Sequence, residues 1–195
     1  MEELVAVRTY LASVEITGCK EERFFRREQL SNLLYGIIES VLSKTGLEKY
    51  LDYLFIRYES HAMLRLHYRT DPTEIVDLAT MIMLRTRHTD LDGKVRVAIH
   101  HDHLIKYPDM NVEIELPYSG AQWAFAVRSN AQPGQIVMSK ILWTELSEAK
   151  RIAPRLHRLT THTSLMGMEE ELFKLDWAAE QETALFASPL PKSVI

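Results

Sequence analysis

The order in which apolar periodicities change along the first hundred residues constrains the fold most strongly. Residues 4–16 form an apolar, β-branched run that is typical of a buried strand. Over residues 24–42, apolar side chains recur every three or four positions, which predicts an amphipathic helix with one face in the core. Gly46 follows where a left-handed helix cap is expected. The chain is therefore expected to open with a strand and a helix.

A hairpin and a second helix are predicted next. Residues 50–58 and 62–68 have the composition of strands, and the short connection at 59–61 favours a hairpin turn. Pro72 suits the first position of a helix, and Asp71 before it suits the N-cap. This helix is expected to place its apolar side against the same core.

Another strand is predicted after the Asp-Gly turn at 92–93. Residues 94–100 alternate strictly between polar and apolar, as a half-buried strand does. The order strand, helix, two strands, helix, strand is that of a ferredoxin-like β-α-β-β-α-β core in an α+β protein. This core carries many functions, so the topology alone does not assign one.

A C-terminal extension of shorter elements is predicted beyond this core. Strands are expected over 109–117 and near 173–177, with helices near 119–130 and 140–150. The short apolar pair Ile136 and Val137 is expected to add an edge strand.

The composition favours one folded domain. The chain has 195 residues, of which 46% are hydrophobic and 26% charged, enough for one substantial core. We expect a single domain over 1–187 and a flexible tail over 188–195, where two prolines interrupt regular structure.

Charge and cysteine content argue against several classes of protein. The net charge of −4 is unsuited to a broad basic surface for nucleic acid. Cys19 is the only cysteine, which excludes an internal disulfide and a Cys-rich zinc site. No apolar run approaches the roughly 20 residues of a membrane helix, and the acidic start at 2–3 is unlike a secretory signal. We expect a cytoplasmic protein without membrane or nucleic-acid partners.

Four segments resemble the catalytic domain of class III nucleotidyl cyclases, in the same order. The strand VRVAIH at 95–100 resembles the family's lRvgIH, and GAQWAFAVR at 120–128 resembles its GxxVNxAxR helix. The stretch AQPGQIVMS at 131–139 is similar to AxPGqIlvS and is the most specific of these matches. At 15–18, EITG stands where the family has DIxG. The resemblance implies a class III cyclase-like fold over most of residues 4–150.

The resemblance also implies a site for two metal ions. Class III cyclases hold Mg²⁺ or Mn²⁺ with one carboxylate at the end of the first strand and one from the hairpin, since these cations prefer oxygen ligands. The ions activate the ribose 3′-hydroxyl and clamp the triphosphate of the substrate. On this resemblance Glu15 is the first metal ligand, and Asp52 or Glu59 is the second.

Residues for substrate and transition state follow from the same resemblance. Arg128 matches the catalytic arginine of the helix motif, where a guanidinium disperses charge over phosphate oxygens. Arg57 and Tyr50, near the hairpin, are expected to contact the nucleoside triphosphate. Aromatic residues of this region are suited to stack on a base, although strand aromatics more often pack in a core.

Several positions depart from the family pattern. His61 falls where the second metal-binding Asp belongs, and Glu59 lies two residues earlier, on the same side of an extended chain. The transition-state Asn position falls on Ala124, whereas Arg128 is kept. Removing one such stabiliser typically costs roughly 10²–10³ in rate. These departures weaken the expectation of catalysis.

The run HHDH at 100–103 has the residue types of a metal cluster. Because neighbouring strand residues point to opposite faces, at most two of these side chains can share a site. His101 and His103 form the pair on one face, and a structural role is the more frequent one for such residues.

Two main functional hypotheses follow. The first is a non-catalytic or weakly catalytic cyclase-like domain that binds a nucleotide or pairs with a partner. The second is an active, divergent cyclase, similar to the compact pyrimidine nucleotide cyclases of bacterial anti-phage signalling. Both predict a homodimer, because active sites of the family form between two domains. A third reading is an unrelated ferredoxin-like interaction domain. We favour the first hypothesis.

Overall fold

A mixed β-sheet with helices on both faces forms the centre of the molecule. The computed structural model describes residues 5–53, 60–66, 71–107, 112–115, 120–148, 152, 155–165 and 167–177. The strands within these residues are β1 (Val5–Ile16), β2 (Leu51–Tyr53), β3 (His61–Leu66), β4 (Val95–Tyr107), β5 (Val112–Glu115), β6 (Ile136–Ser139), β7 (Leu156–Leu165) and β8 (Met168–Leu175). The helices are α1 (Phe24–Thr45), α2 (Pro72–Thr86), α3 (Gly120–Ser129) and α4 (Lys140–Leu146), with short 3-10 turns at Cys19–Glu21 and Leu47–Tyr50.

The sheet has the order β2-β3-β1-β4-β6-β8-β7, and β5 pairs with β4 away from this path. Strand β1 is antiparallel to both of its neighbours, β3 and β4, whereas β4 and β6 are parallel. The first six elements therefore form the predicted β-α-β-β-α-β core, and the α+β fold class is confirmed. Strand β6 is an internal strand between β4 and β8, so the expectation of an edge strand at 136–137 is wrong.

One face of the sheet carries the larger part of the core. Alternate residues of β1, namely Tyr10, Ala12, Val14 and Ile16, are buried here with side chains of α1, α2 and α4. The apolar stripe of α1 includes Leu34 and Ile38, both with no exposed area. Because only one side of α1 packs against this face, its buried residues recur with the predicted 3.6-residue period.

The opposite face of the sheet is covered by α3 and is more polar. Leu11 of β1, Met63 of β3 and Ala124 of α3 form a small apolar cluster there. Ser13 and Thr9, which alternate with Leu11 along β1, are also fully buried on this strand. The sheet is therefore apolar on one face and mixed on the other, and α3 lies over the polar side chains.

The caps of α1 and α2 lie at the residues that the sequence predicts. Gly46 has φ 68° and caps α1 in the left-handed conformation, which glycine adopts without steric cost. The Asp71 carboxylate accepts a hydrogen bond from the backbone N–H of Thr73 at 2.8 Å, as an N-cap does. Within the described part of the chain, no helix is long and apolar enough to cross a membrane. The expected tail at 188–195 lies outside the described residues, so the domain limits stay a prediction.

Candidate functional site

A cleft opens beside the C-terminal end of β1. The chain leaves this strand through Gly18, whose φ of 70° turns it into the 3-10 turn at Cys19–Glu21. The cleft has a volume of about 370 Å³. Its lining includes Glu15, Thr17, Lys20, Ser60, Arg96 and Gln132. The cleft therefore combines the predicted metal ligand Glu15 with two basic side chains.

The sheet register places three charged or titratable residues in one row. Glu15 on β1 faces His61 on β3 and Arg96 on β4. Directly opposed residues of antiparallel strands lie on the same face, with Cβ atoms roughly 4.5–5.5 Å apart. The row is therefore a consequence of the backbone pairing, and it lies on the face that α3 covers.

Arg96 holds the Glu15 carboxylate tightly. Its Nε donates a hydrogen bond to Glu15 Oε2 at 2.7 Å, and its Nη2 lies 2.6 Å from the same oxygen. Its remaining nitrogen, Nη1, donates to the backbone carbonyl of Ala131 at 2.9 Å. These contacts fix the guanidinium between β1 and the loop that follows α3.

Arg128 approaches the same carboxylate from α3. Its Nε lies 3.2 Å from Glu15 Oε2 as an ion pair without hydrogen-bond geometry, and its Nη1 donates to Ser13 Oγ at 2.9 Å. The guanidinium also stacks over the Phe125 ring at 4.7 Å. Burial lowers the pKa of Arg128, the Glu15 charge raises it, and the Arg96 charge lowers it. Arg128 therefore contacts Glu15, Ser13 and Phe125 of its own chain.

His61 completes the surroundings of Glu15. Its Nε2 lies 3.9 Å from Glu15 Oε1. The ring packs edge-on against Phe125 of α3 with centroids 6.1 Å apart. The expectation that His61 belongs to the hairpin turn is wrong, because it is the first residue of β3 and pairs with Glu15. This position follows from the turn ending one residue earlier, at Ser60.

Solved structures with the same fold are cyclase catalytic domains. The adenylyl cyclase CyaB from P. aeruginosa aligns with a TM-score of 0.62 at 10% identity over 89% of this chain and 96% of that one. The guanylate cyclase domain of RhGC from Catenaria anguillulae in complex with GTP gives 0.65 at 10% identity over 88% and 97%. An adenylate cyclase from Trypanosoma brucei in its monomeric state gives 0.65 at 14% identity over 87% and 90%. No sequence-family model and no curated protein matches the chain.

The chain has the class III cyclase fold. The likeness covers almost all of the described core, so the fold expected from the motifs at 95–100, 120–128 and 131–139 is confirmed. At 10–15% identity the likeness concerns the fold and does not by itself assign an activity.

The described residues of this class III fold do not fit a pair of divalent ions. Mg²⁺ takes oxygen ligands at about 2.0–2.1 Å, but Glu15 Oε2 already has three guanidinium nitrogens within 3.2 Å. Two fixed positive charges beside that oxygen repel a cation. The facing side chain is His61, and no cluster of three or more His, Cys, Asp or Glu suited to a metal occurs in the described residues.

The other predicted ligands are not brought to Glu15 by the described backbone. In β2, Leu51 pairs with Leu66 and Tyr53 pairs with Arg65, so residue 52 lies at the far end of β3. Arg65 lies four positions along β3 from His61, which corresponds to about 14 Å. Asp52 and Tyr50, at the end of the preceding 3-10 turn, are therefore distant from Glu15 along the sheet. Arg57 and Glu59 lie outside the described residues.

Ala124, at the Asn position of the class III motif, is fully buried. It packs with Leu11 and Met63 in the apolar cluster between α3 and the sheet. An amide at this position would have to find hydrogen-bond partners among apolar side chains, which is costly. The replacement is therefore part of the packing of α3, and position 124 supplies no polar group to the cleft.

The histidine run of β4 divides between the two faces, as the strand period requires. His100 stacks near Trp123 of α3 with ring centroids 6.3 Å apart, and its Nδ1 lies 2.8 Å from Ser139 Oγ. His101 lies on the other face, with Nδ1 2.7 Å from Glu145 Oε1 of α4. Both are structural contacts between the sheet and a helix. The side chain of His103 is outside the described part of the structure.

Arg96 is a residue of the candidate site that the sequence analysis did not single out. Its position in the strand motif was visible, and strict alternation placed it on the polar face of β4. The sequence does not predict its partner, because Arg96 and Glu15 are 81 residues apart and meet only through the register between β1 and β4.

Proposed function

We propose that this chain is a nucleotide-binding domain with the class III cyclase fold that has weak or no cyclase activity and acts in regulation. The observation that carries the proposal is the state of Glu15. The residue at the first metal-ligand position is held by two arginines, at 2.6 Å and 3.2 Å, and faces a histidine. A carboxylate in these contacts is an internal counter-anion, which is a different role from that of a metal ligand.

The altered helix motif supports the same proposal. Ala124 is buried at the position of the transition-state Asn, and Arg128 is directed at its own Glu15 and Ser13. Each lost transition-state stabiliser typically lowers the rate roughly 10²–10³-fold. Two such losses leave little of the rate enhancement that cyclisation of a triphosphate needs.

A nucleoside triphosphate remains the ligand that the cleft suits best. The cleft of about 370 Å³ is lined by the basic Lys20 and Arg96 and the acidic Glu15 and Glu21, and Arg128 adds a positive charge behind Glu15. Related folds have been solved with nucleotides, namely a guanylate cyclase domain with GTP and a rhodopsin-guanylyl cyclase core of converted specificity with ATPαS. We propose a cytoplasmic, homodimeric protein without membrane or nucleic-acid partners.

Incubation with each of the four nucleoside triphosphates in the presence of Mn²⁺ tests the proposal. Cyclic products are separated and quantified by mass spectrometry, and nucleotide binding is measured in parallel by calorimetry. We expect saturable binding of at least one nucleotide together with little or no cyclic product. Robust formation of a cyclic nucleotide would refute the proposal and favour an active nucleotidyl cyclase.

The alternative is an active nucleotidyl cyclase, with a pyrimidine nucleotide as a candidate substrate and anti-phage signalling as a candidate setting. The observation that favours it is that the helix segment at 120–128 keeps an arginine at position 128. Glu15 and Glu59 would then hold Mg²⁺ or Mn²⁺, which requires Glu15 to leave its arginines. Arg128→Ala should abolish the product, whereas Arg26→Ala, which removes a partly exposed arginine paired with Asp90 away from the cleft, should not.

The homodimer is tested separately by light scattering coupled to size-exclusion chromatography. Among the similar folds, one guanylyl cyclase domain was solved as a dimer and one adenylate cyclase in a monomeric state. We expect a mass of two chains at micromolar concentration. A single-chain mass over the whole concentration range would contradict the assembly and leave the fold unaffected.

A further inference from the structure

The chain supplies its own anion to a site built of guanidinium groups. Glu15 Oε2 accepts contacts from Arg96 at 2.6 Å and 2.7 Å and from Arg128 at 3.2 Å. Planar guanidinium groups bind carboxylate and phosphate oxygens with the same geometry. An arginine pair that is preorganised around a carboxylate is therefore also preorganised around a phosphate.

The two arginines beside Glu15 differ in access to the cleft. The Arg96 side chain is 22% exposed and lines the cleft, whereas the Arg128 side chain is 8% exposed and lies behind Glu15. A ligand that enters the cleft reaches Arg96 first. Glu15 is still compensated if it releases Arg96, because Arg128 stays 3.2 Å from Oε2.

The charge of the site favours an anion that arrives without a divalent ion. Glu21 and Lys20 also line the cleft and offset one another. Arg96 and Arg128 then exceed the single charge of Glu15 by one positive charge. A Mg²⁺-bound triphosphate is less anionic than the free one and would bring its cation towards the two arginines.

We propose that the domain binds its nucleotide as the metal-free polyphosphate anion, and that the Glu15 carboxylate is the internal competitor that this anion displaces from Arg96. The inference rests on the proposed nucleotide-binding function and assigns its cation requirement and its regulation. Arg128 is a positioning residue in this arrangement, because it holds the displaced carboxylate and does not line the cleft.

The first test uses the unaltered protein. Calorimetry measures the binding of inorganic tripolyphosphate and of each of the four nucleoside triphosphates, once with EDTA and once with excess Mg²⁺. We expect a dissociation constant in EDTA that is equal to or lower than that in Mg²⁺. Titration with Mn²⁺ alone, followed by the loss of the free-ion electron paramagnetic resonance signal, should show no stoichiometric site.

The second test removes the competitor. Glu15→Gln should tighten binding in EDTA by about tenfold, because the ligand no longer competes with a charge-assisted hydrogen bond. Asp92→Asn is the matched control, since it removes the same charge from an exposed residue at the same end of the sheet, outside the cleft. Circular dichroism establishes that each variant is folded. The EDTA and Mg²⁺ comparison on the unaltered protein remains decisive if Glu15→Gln does not fold.

The possible failures separate this inference from the proposed function. Nucleotide binding that requires Mg²⁺ or Mn²⁺ and is lost in Glu15→Gln would overturn the inference and make Glu15 a metal ligand, while nucleotide binding itself would stand. Equal affinity of Glu15→Gln and the unaltered protein in EDTA would overturn the role of Glu15 as competitor. No binding of any nucleotide under either condition would refute both the inference and the proposed function.

Discussion

His100 allows a quantitative test of how the sheet packs against α3. The side chain is 6% exposed, stacks near Trp123 and contacts Ser139. Burial lowers its pKa from 6.5 to about 3, and the neighbouring His101 adds to the lowering. The folded protein therefore keeps this ring neutral at pH values where an unfolded chain protonates it.

The sign and size of the effect follow from proton linkage. Below pH 6.5 the unfolded chain binds a proton that the folded chain does not, so the free energy of unfolding falls by about 1.4 kcal/mol per pH unit. Between pH 8 and pH 5 the loss from His100 amounts to about 2 kcal/mol. It continues to about pH 3, where the folded ring itself is protonated.

Urea unfolding at pH 8 and pH 5 measures this loss in the unaltered protein and in His100→Asn. The variant lacks the titrating ring, so the unaltered protein should lose about 2 kcal/mol more than the variant between the two pH values. His157→Asn, which removes an exposed imidazole from β7, is the control and should follow the unaltered protein. Parallel losses in the unaltered protein and His100→Asn would refute the assignment of a buried neutral ring.

Three stability predictions test the fold itself by urea unfolding. Gly46→Ala should cost about 1–2 kcal/mol, because the left-handed φ of 68° is strained for a residue with a Cβ; an unchanged midpoint would contradict the cap. Asp71→Ala should cost about 1 kcal/mol and Asp71→Asn far less, since either Asp or Asn can accept the N-cap hydrogen bond. Leu34→Ala should cost about 2–5 kcal/mol, whereas Leu33→Ala, at a partly buried position of the same helix, should cost clearly less.

The elements that the sequence predicted well are those that bury one face. Helices α1 and α2 each have a clear apolar stripe, and their caps at Gly46 and Asp71 use strong local signals. Strand β7 was not predicted, because its sequence LHRLTTHTSL is rich in polar residues. It lies at the end of the sheet and pairs only with β8 among the described strands, so little apolar burial marks it.

The misjudged position of β6 has a different cause. All four residues of β6, Ile136–Ser139, are buried, because the strand is covered on both faces. A short continuous apolar run is typical of such an internal strand, whereas an edge strand usually carries charge or alternation. The apolar run at 136–139 is therefore consistent with an internal strand. Four residues are too few, however, for the periodicity to distinguish an internal strand from an edge strand.

The site was only partly predictable for reasons of register. Motif matches assigned Glu15 and Arg128 to one site; Glu15 lines the cleft, and Arg128 lies behind it with its Nε 3.2 Å from Glu15 Oε2. The row Glu15, His61 and Arg96 depends on the pairing of three strands that are distant in sequence. A shift of one residue in the β1–β3 or β1–β4 register would turn His61 or Arg96 to the other face of the sheet. The sequence of each strand alone does not specify that register.

The apolar residue at 124 and the inward direction of Arg128 have one structural explanation. Residues 124 and 128 are one helical turn apart and therefore face the sheet together. The small Ala124 packs against Leu11 and Met63 and lets α3 approach β1 closely. That approach carries Arg128 to within 2.9 Å of Ser13 and 3.2 Å of Glu15. The apolar residue at 124 and the inward direction of Arg128 thus belong to one packing arrangement, in which Arg128 pairs with the chain's own carboxylate.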